Sequence, residues 1–216
     1  MLALILALSV AAPAAPAEPP KPATASEALA LVRKVQAHYD QTKDLRAKFQ
    51  QTYTYSGFGR KQTSSGELLV KKPGMMRWEY TKPAPKIVVV KGTRLVQYEP
   101  EENQAYVDER FDASGMSAAL TFLLGKGDLE KEFDVAVRPG GTLVLRPRVE
   151  DPRVESIELV AGPEGQILVT RVIDGASNVN EIRLEDVRRN VGLPDGAFEL
   201  ELPKGVVRME PPAKER

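Results

Sequence analysis

Apolar residues recur at helical spacing between Thr24 and about Thr42. Thr24 and Glu27 have the spacing of a capping box, in which two side chains satisfy backbone N–H groups at a helix start. Behind that start the apolar positions repeat every three or four residues, at Ala28, Leu31, Val32, Val35 and Tyr39. The pattern predicts one amphipathic helix that packs on another element. We expect His38, beside the apolar face, to be a partly exposed helix residue.

From residue 43 onward the hydrophobic period changes from that of a helix to that of β-strands. Phe49, Tyr53 and Tyr55 alternate with polar residues, and SGFGRK at 56–61 predicts a turn. A second strand is expected at 66–72, and Met76, Trp78 and Tyr80 share one face of a third. Further strands are predicted at 87–90, 95–98, 104–107, 133–137, 142–147, 156–160, 165–173, 180–187 and 198–203.

One segment, 112–131, interrupts this series of strands. Its apolar residues again have helical spacing, which predicts a short second amphipathic helix through Met116, Ala119, Leu120, Leu123 and Leu124. Two helices and about a dozen antiparallel strands indicate an α+β fold in which helices lie on the concave side of a strongly curved sheet. Periodicity alone favours a filled core over a cavity on that side.

The first residues differ from the rest of the chain. Residues 1–17 are apolar and then rich in Ala and Pro, and the first charge is Glu18. This composition is typical of a secretory signal peptide with a small-residue cleavage site, although no Lys or Arg precedes the apolar run. The alternative is an apolar leader on a cytosolic protein. We expect export to the periplasm, a linker at 18–25 and a single domain at 26–210, with no lipid anchor because Cys is absent.

Composition excludes several classes of site. The 216 residues include 30 Lys and Arg, 30 Asp and Glu, one His and no Cys. Disulfides, thiolate zinc sites, cysteine nucleophiles and two-histidine zinc motifs are therefore excluded. A net charge of zero provides no overall attraction to nucleic acid or to an anionic membrane. No catalytic motif is present, so we expect no enzyme, cofactor or metal, while a hydrolase whose carboxylates meet only in the fold stays open.

The run KKPGMMRWEYTKPAPKIVVVKGTRLVQYEPEENQ at 71–104 resembles the signature stretch of the outer-membrane lipoprotein carrier family, LolA. The resemblance extends upstream to KFQQTYT and downstream to TFLLGKGDLEKEF and LEDVRRNVGLPDGAFELELPKGVV. It covers about residues 26–207 and keeps its parts in order. Several motifs in one order are more specific than any single one of them.

The resemblance implies an unclosed, half β-barrel of about eleven antiparallel strands with lid helices over its concave face. It further implies a monomeric periplasmic chaperone without cofactor, metal or nucleic-acid partner. Such a carrier takes the acyl chains of triacylated lipoproteins from an inner-membrane ABC exporter to an outer-membrane receptor. A lipid- or lipoprotein-sensing regulator of the same fold is the alternative. The missing Cys argues against an anchored receptor.

The resemblance also suggests roles for individual residues. The lipid cavity would be lined by Phe49, Met76, Trp78, Tyr80 and Val89, and the lid would present Tyr39, Met116, Leu120 and Leu123. Lys72 stands where the family has an Arg that holds the lid closed. Since an ammonium lacks the forked donors of a guanidinium, the latch is expected either to be weaker or to be shared with Arg77. Plain core packing is the alternative for the lining residues, and a surface cation is the alternative for Lys72 and Arg77.

Overall fold

A computed structural model describes residues 24–112, 122, 127–151 and 153–211. Its elements follow the chain in this order: α1 (Ala25–Asp40), β1 (Asp44–Tyr55), β2 (Arg60–Lys71), β3 (Met75–Lys82), β4 (Lys86–Lys91), β5 (Arg94–Glu99), β6 (Gln104–Asp108), α2 (Leu129–Glu132), β7 (Phe133–Arg138), β8 (Thr142–Pro147), β9 (Ser156–Ala161), β10 (Ile167–Ile173), β11 (Val179–Arg189), a 3-10 helix (Asp195–Phe198) and β12 (Val207–Met209). The leader 1–17 and most of the linker lie outside the described residues.

The predicted capping box forms at the start of α1. The Thr24 hydroxyl accepts a hydrogen bond from the Glu27 amide (3.2 Å), and the Glu27 carboxylate accepts one from the Thr24 amide (2.6 Å). One face of the helix is buried, and it carries Ala28, Val32, Val35, His38 and Tyr39. The sequence pattern therefore located the helix and its apolar face, but His38 is buried rather than partly exposed.

The twelve strands of the described residues belong to one sheet, in the order β12-β6-β5-β4-β3-β2-β1-β11-β10-β9-β8-β7. Neighbouring strands are antiparallel except β12, which pairs with β6 in parallel. In the described residues the two outermost strands, β12 and β7, do not pair with each other, so the sheet is open. The expected α+β fold with an unclosed antiparallel sheet is confirmed, at twelve strands.

The position of α1 shows how strongly this sheet curls. The helix packs against β7, and its carboxyl end is bonded by Lys72, which directly follows β2. In a flat sheet β2 and β7 would be separated by six strand spacings, or about 29 Å. One helix reaches both, because the sheet curves around it and gives the protein a concave face.

The main core fills this concave side. Side chains from α1 meet side chains from strands on both arms of the sheet, including Phe49 of β1, Trp78 of β3 and Leu145 of β8. A close approach within the sheet requires glycine at Gly66, where an added Cβ would lie 1.9 Å from the Glu79 carbonyl oxygen. The register between β2 and β3 shifts at this position.

A second, smaller core lies on the outer face. Val96, Ala105 and Val107 of β5 and β6 are covered there by Leu200, Leu202 and Val206 from the segment after the 3-10 helix. The strand predicted at 198–203 is wrong: Phe198 ends the 3-10 helix, and the last strand is Val207–Met209. The alternation of apolar residues arises because this segment packs on the outer face without pairing there.

One other predicted boundary changes, and most of one predicted helix falls outside the described residues. The turn at the end of the first hairpin spans only 56–59, so β2 begins at Arg60 rather than at residue 66. Of the second predicted helix, Met116, Ala119, Leu120, Leu123 and Leu124 lie outside the described residues. The part of that segment that is described ends in the short helix α2, which is capped by Asp128.

Candidate functional site

Three aromatic rings form the centre of the concave face. Phe49 contacts Trp78 edge-on at a centroid distance of 4.6 Å and Tyr80 at 5.0 Å. The Trp78 indole N–H donates to the sulfur of Met76 (2.8 Å), and the Tyr80 hydroxyl donates to the Gln51 side-chain oxygen (3.1 Å). The structure thus brings together four of the five residues expected to line a cavity: Phe49, Met76, Trp78 and Tyr80.

Val89 belongs to the other side of the sheet. It pairs in register with Arg77 of β3 and Val96 of β5, and directly paired residues in a sheet point to the same face. Trp78, one residue along from Arg77, points to the opposite, concave face. The structure therefore does not group Val89 with the other four. Its neighbour Val90, which pairs with Met76, is the β4 residue in the concave core.

The helix α1 covers the concave face with apolar side chains. Val32, Val35 and Tyr39 are buried in the same core as the aromatic rings. The Tyr39 ring packs edge-on against Phe122 at 5.3 Å. Of the four predicted lid residues, Tyr39 is described on this face, while Met116, Leu120 and Leu123 lie outside the described residues.

Lys72 bonds directly to the carboxyl end of α1. Its Nζ atom donates to the Tyr39 carbonyl oxygen at 2.6 Å. Burial lowers the pKa of the Lys72 ammonium, and Asp40 nearby acts in the opposite direction. The last carbonyls of a helix lack intrahelical partners and carry partial negative charge, so a cation stabilises this end.

Arg77 does not take part in this contact. Its guanidinium lies on the outer face, where it donates to the Glu79 carboxylate (3.0 Å) and to the Glu199 carbonyl oxygen (3.2 Å). Arg77 therefore holds the segment that covers the outer core, together with Lys91, which pairs with the Glu199 carboxylate at 2.8 Å. The structure separates the two cations that were expected to share one role.

Further contacts that the sequence did not predict fix the carboxyl end of α1. Arg189 at the end of β11 donates to the His38 carbonyl oxygen (3.3 Å). The His38 Nδ1 atom bonds the Glu164 carbonyl oxygen (3.0 Å), and the Tyr39 hydroxyl accepts from the Ile167 amide (3.1 Å). These partners lie more than 120 residues along the chain from the helix, so no local sequence signal pointed to them.

Burial at this end of α1 also shifts two pKa values. The pKa of His38 is lowered, first by burial and then by the nearby Arg189 charge. Burial raises the pKa of the Tyr39 phenol to about 12. Both side chains are therefore neutral near neutral pH, which suits their burial between α1 and the sheet.

The amino-terminal half of α1 is held differently. Arg33 forms an exposed ion pair with Glu130 of α2 (2.7 Å), and Gln36 accepts from the Leu129 amide (3.1 Å). Two pockets, of about 730 and 830 Å³, adjoin each other beside α2, and Ala25 and Leu29 of α1 line the larger one. Phe133 and Arg148 line both of them.

Neither a metal centre nor a membrane span is found in the part of the chain that the structure describes. The described residues contain no group of three His, Cys, Asp or Glu side chains that could hold a metal ion. No helix among them is both long enough and apolar enough to cross a membrane.

The concave face offers apolar and aromatic surface under α1, and most of the bonds that hold this helix lie at its carboxyl end.

Comparison with known proteins places this architecture in a family. Residues 40–201 match the family described as "Outer membrane lipoprotein carrier protein LolA". Outer-membrane lipoprotein carrier proteins from Alkalilimnicola ehrlichii and Dechloromonas aromatica are 31% and 32% identical over 78% and 76% of this chain, and the matches cover 78% and 80% of those proteins. The crystal structure of an uncharacterized conserved protein from Thermus thermophilus has a similar fold, with a TM-score of 0.52 and 13% identity over 86% of this chain and 99% of that one. The chain therefore belongs to the LolA family of outer-membrane lipoprotein carrier proteins.

Proposed function

We propose that this protein is a periplasmic carrier that holds the acyl chains of triacylated lipoproteins against its concave face. It receives them from an inner-membrane ABC exporter and passes them to an outer-membrane receptor. The observation that carries the proposal is the aromatic and aliphatic face under α1 in a chain of the lipoprotein carrier family. In this proposal residues 1–17 direct export, 18–25 form a linker and 26–210 form the carrier domain.

The energetic need for such a face follows from the chemistry of the cargo. Each methylene group removed from water contributes about 0.8 kcal/mol, so a dozen buried methylenes contribute about 10 kcal/mol. An acyl chain of a lipoprotein therefore does not cross an aqueous compartment without an apolar cover. Phe49, Trp78 and Tyr80 supply rigid apolar surface for this purpose, and no cofactor or covalent chemistry is required.

The helix α1 must move to admit an acyl chain, because its own side chains occupy the concave face. Its carboxyl end is bonded to both arms of the sheet through Lys72, Arg189 and Tyr39, whereas among the described residues its amino-terminal half is bonded only to α2, through the exposed Arg33–Glu130 pair and one hydrogen bond from the Leu129 amide to Gln36. Exposed ion pairs contribute only about 0–1 kcal/mol. We therefore infer that the helix pivots about its carboxyl end and that cargo enters beside the two pockets at the other end.

Two adjacent valines allow a matched test. Val90 and Val89 are 2% and 4% exposed, but Val90 faces the concave core and Val89 the outer face. Substitution of Val by Thr keeps the shape and adds a hydroxyl. We expect Val90→Thr to lower the amount of triacylated lipoprotein that co-purifies from the periplasm and the rate of its uptake from inner-membrane vesicles. We expect Val89→Thr to lower stability by a similar amount and leave both quantities unchanged.

Two results would contradict the proposal. The first is a wild-type protein that carries no lipoprotein and accepts none from vesicles containing the exporter. The second is an equal loss of binding in Val89→Thr and Val90→Thr, which would mean that binding follows stability rather than the concave face.

A further inference from the structure

The β1–β2 hairpin ends in an exposed aromatic side chain. Residues 56–59 form the turn, and Phe58 at its tip is 90% exposed, more than any other large hydrophobic residue that the structure describes. A Cβ atom added at Gly57 or Gly59 would meet nothing within 4 Å. The tip therefore projects clear of the rest of the described protein, and the apolar ring has no contact that explains its position.

Two cations follow the turn at the start of β2. Arg60 pairs with Tyr55 and Lys61 with Thr54 across the hairpin, and both cations are exposed. Within the described residues neither of them forms an ion pair. The adjoining β10–β11 turn contributes one acidic group, Asp174, whose carboxylate accepts hydrogen bonds from that turn. The tip as a whole is positive.

The base of the tip is bonded to a neighbouring turn. The Ser56 amide donates to the Asn178 side-chain oxygen (3.1 Å), and the Ser56 hydroxyl donates to the Ala176 carbonyl oxygen (2.8 Å). Both acceptors belong to the β10–β11 turn. Because these bonds fix the backbone before Phe58, the hairpin loses little conformational entropy when the ring makes a contact.

An exposed aromatic ring on a convex tip, followed closely by two cations, matches the chemistry of a lipid surface. A ring of this kind partitions into the boundary between headgroups and acyl chains, while Lys and Arg are attracted to anionic headgroups. A convex tip offers no groove for a peptide. We infer that the hairpin tip, residues 56–61, is a membrane-contact site that inserts Phe58 among the headgroups of an anionic phospholipid bilayer and places Arg60 and Lys61 at the phosphates.

The zero net charge of the chain does not oppose this contact. At about 0.1 M salt the Debye length is about 10 Å, so the bilayer responds to the charges near the tip and not to the whole protein. One ring and two cations provide weak, reversible binding. The site therefore lets the protein rest on a membrane surface without being retained there.

The inference is tested with protein-free vesicles, which contain neither lipoprotein nor transporter, so the outcome is independent of the proposed cargo. Co-flotation of the purified protein without the proposed signal peptide, residues 18–216, is measured with phosphatidylcholine vesicles alone and with vesicles containing about 30% phosphatidylglycerol. The apolar residues 1–17 are left out because they would bind both kinds of vesicle themselves. The matched control is Val191→Ala, a substitution at a 48% exposed valine near Asp44, at the opposite end of β1 from the tip.

We expect Phe58→Ala to weaken binding to anionic vesicles about tenfold. The double variant Arg60→Gln/Lys61→Gln is expected to weaken that binding about thirtyfold at low salt and to bind neutral vesicles as the wild type does. Val191→Ala is expected to match the wild type. In Phe58→Trp, brominated lipid quenches the new tryptophan, whereas in Val191→Trp it does not.

Three results would overturn the inference. Wild-type protein that binds anionic vesicles no better than neutral ones excludes the role of the cations. Equal binding of Phe58→Ala and wild type excludes insertion of the ring. If Phe58→Ala leaves vesicle binding unchanged but slows lipoprotein transfer between membranes that contain the transport proteins, the tip contacts a protein and not lipid.

Discussion

Removing the Lys72 ammonium is expected to loosen the carboxyl end of α1. The bond from Nζ to the Tyr39 carbonyl oxygen is 2.6 Å long and partly buried. A hydrogen bond with a charged partner contributes about 1.5–3 kcal/mol, and the partial exposure of Lys72 places this one near 1.5 kcal/mol. That free energy corresponds to a change of about tenfold in the equilibrium between closed and open helix ends. Lys72→Met removes the charge and keeps most of the stem.

Hydrogen exchange of the α1 backbone amides measures this equilibrium directly. We expect the amides in the last turn of α1 to exchange about tenfold faster in Lys72→Met, while Arg189 and Tyr39 keep the protein folded. The adjacent Lys71 provides the control, because it bonds the Leu193 carbonyl oxygen (2.7 Å) and Asp195 instead of the helix. Lys72→Arg is expected to exchange no faster than the wild type, since a guanidinium can reach more than one carbonyl.

Two results would contradict this expectation. One is unchanged α1 exchange in Lys72→Met, and the other is an acceleration of α1 exchange in Lys71→Met as large as that in Lys72→Met. The first result would show that Arg189 and Tyr39 hold the helix end without help from the ammonium. The second would show that the exchange follows global stability and not the Lys72 contact.

Three further predictions concern the same helix. Folding holds the pKa of His38 below its usual 6.5, so the unfolded state binds more protons as the pH falls. The His38 contribution to the free energy of unfolding, measured with urea, should therefore be fully present above about pH 6.5 and decrease at lower pH. The variant His38→Gln should lack that decrease. Gly165→Ala places a Cβ 2.5 Å from an α1 carbonyl, so it should lower the free energy of unfolding by about 2 kcal/mol more than Gly140→Ala, which has open space at a similar positive φ. Tyr39→Phe leaves a buried β10 amide without its acceptor and should cost about 1–3 kcal/mol by denaturant unfolding, against about 0.5 kcal/mol or less for Tyr55→Phe at the surface.

Each of these predictions has a result that contradicts it. An unchanged pH profile in His38→Gln would assign the acid sensitivity to carboxylates. Equal stability of Gly165→Ala and Gly140→Ala would mean that α1 shifts away from the β9–β10 turn at no cost. A Tyr39→Phe variant as stable as Tyr55→Phe would mean that water reaches the β10 amide.

Local patterns predicted most of the fold because each element is encoded within a few residues. The capping box of Thr24 and Glu27 and the apolar stripe behind it located α1, and alternating residues between turns located the hairpins. Residues 198–203 have the alternation of a strand but do not form one. Alternation of apolar residues shows only that one side of an extended segment is buried. A segment that lies on the outer core therefore has the same alternation as a paired strand.

Faces and long-range contacts were harder to predict. IVVV at 87–90 is apolar throughout, so periodicity could not decide that Val90 faces the concave core and Val89 the outer face; only the register with β3 decides it. The contacts of His38 with Glu164 and of Arg189 with α1 join residues more than 120 positions apart. The family resemblance pointed to Lys72 as a residue that bonds a lid helix, and Lys72 does bond α1. Its effect on opening of the lid stays a prediction.

The shape of the last strand bears on how an open sheet avoids aggregation. An unclosed sheet presents edges with free N–H and C=O groups, which can recruit strands from other chains. At one edge this protein places β12, three residues long and exposed throughout, with Arg208 at its centre and Pro211 and Pro212 soon after it. Proline cannot donate to a neighbouring strand, and so short a charged strand is a poor template. The sheet can therefore stay open for its cargo and still resist edge-to-edge association at this border.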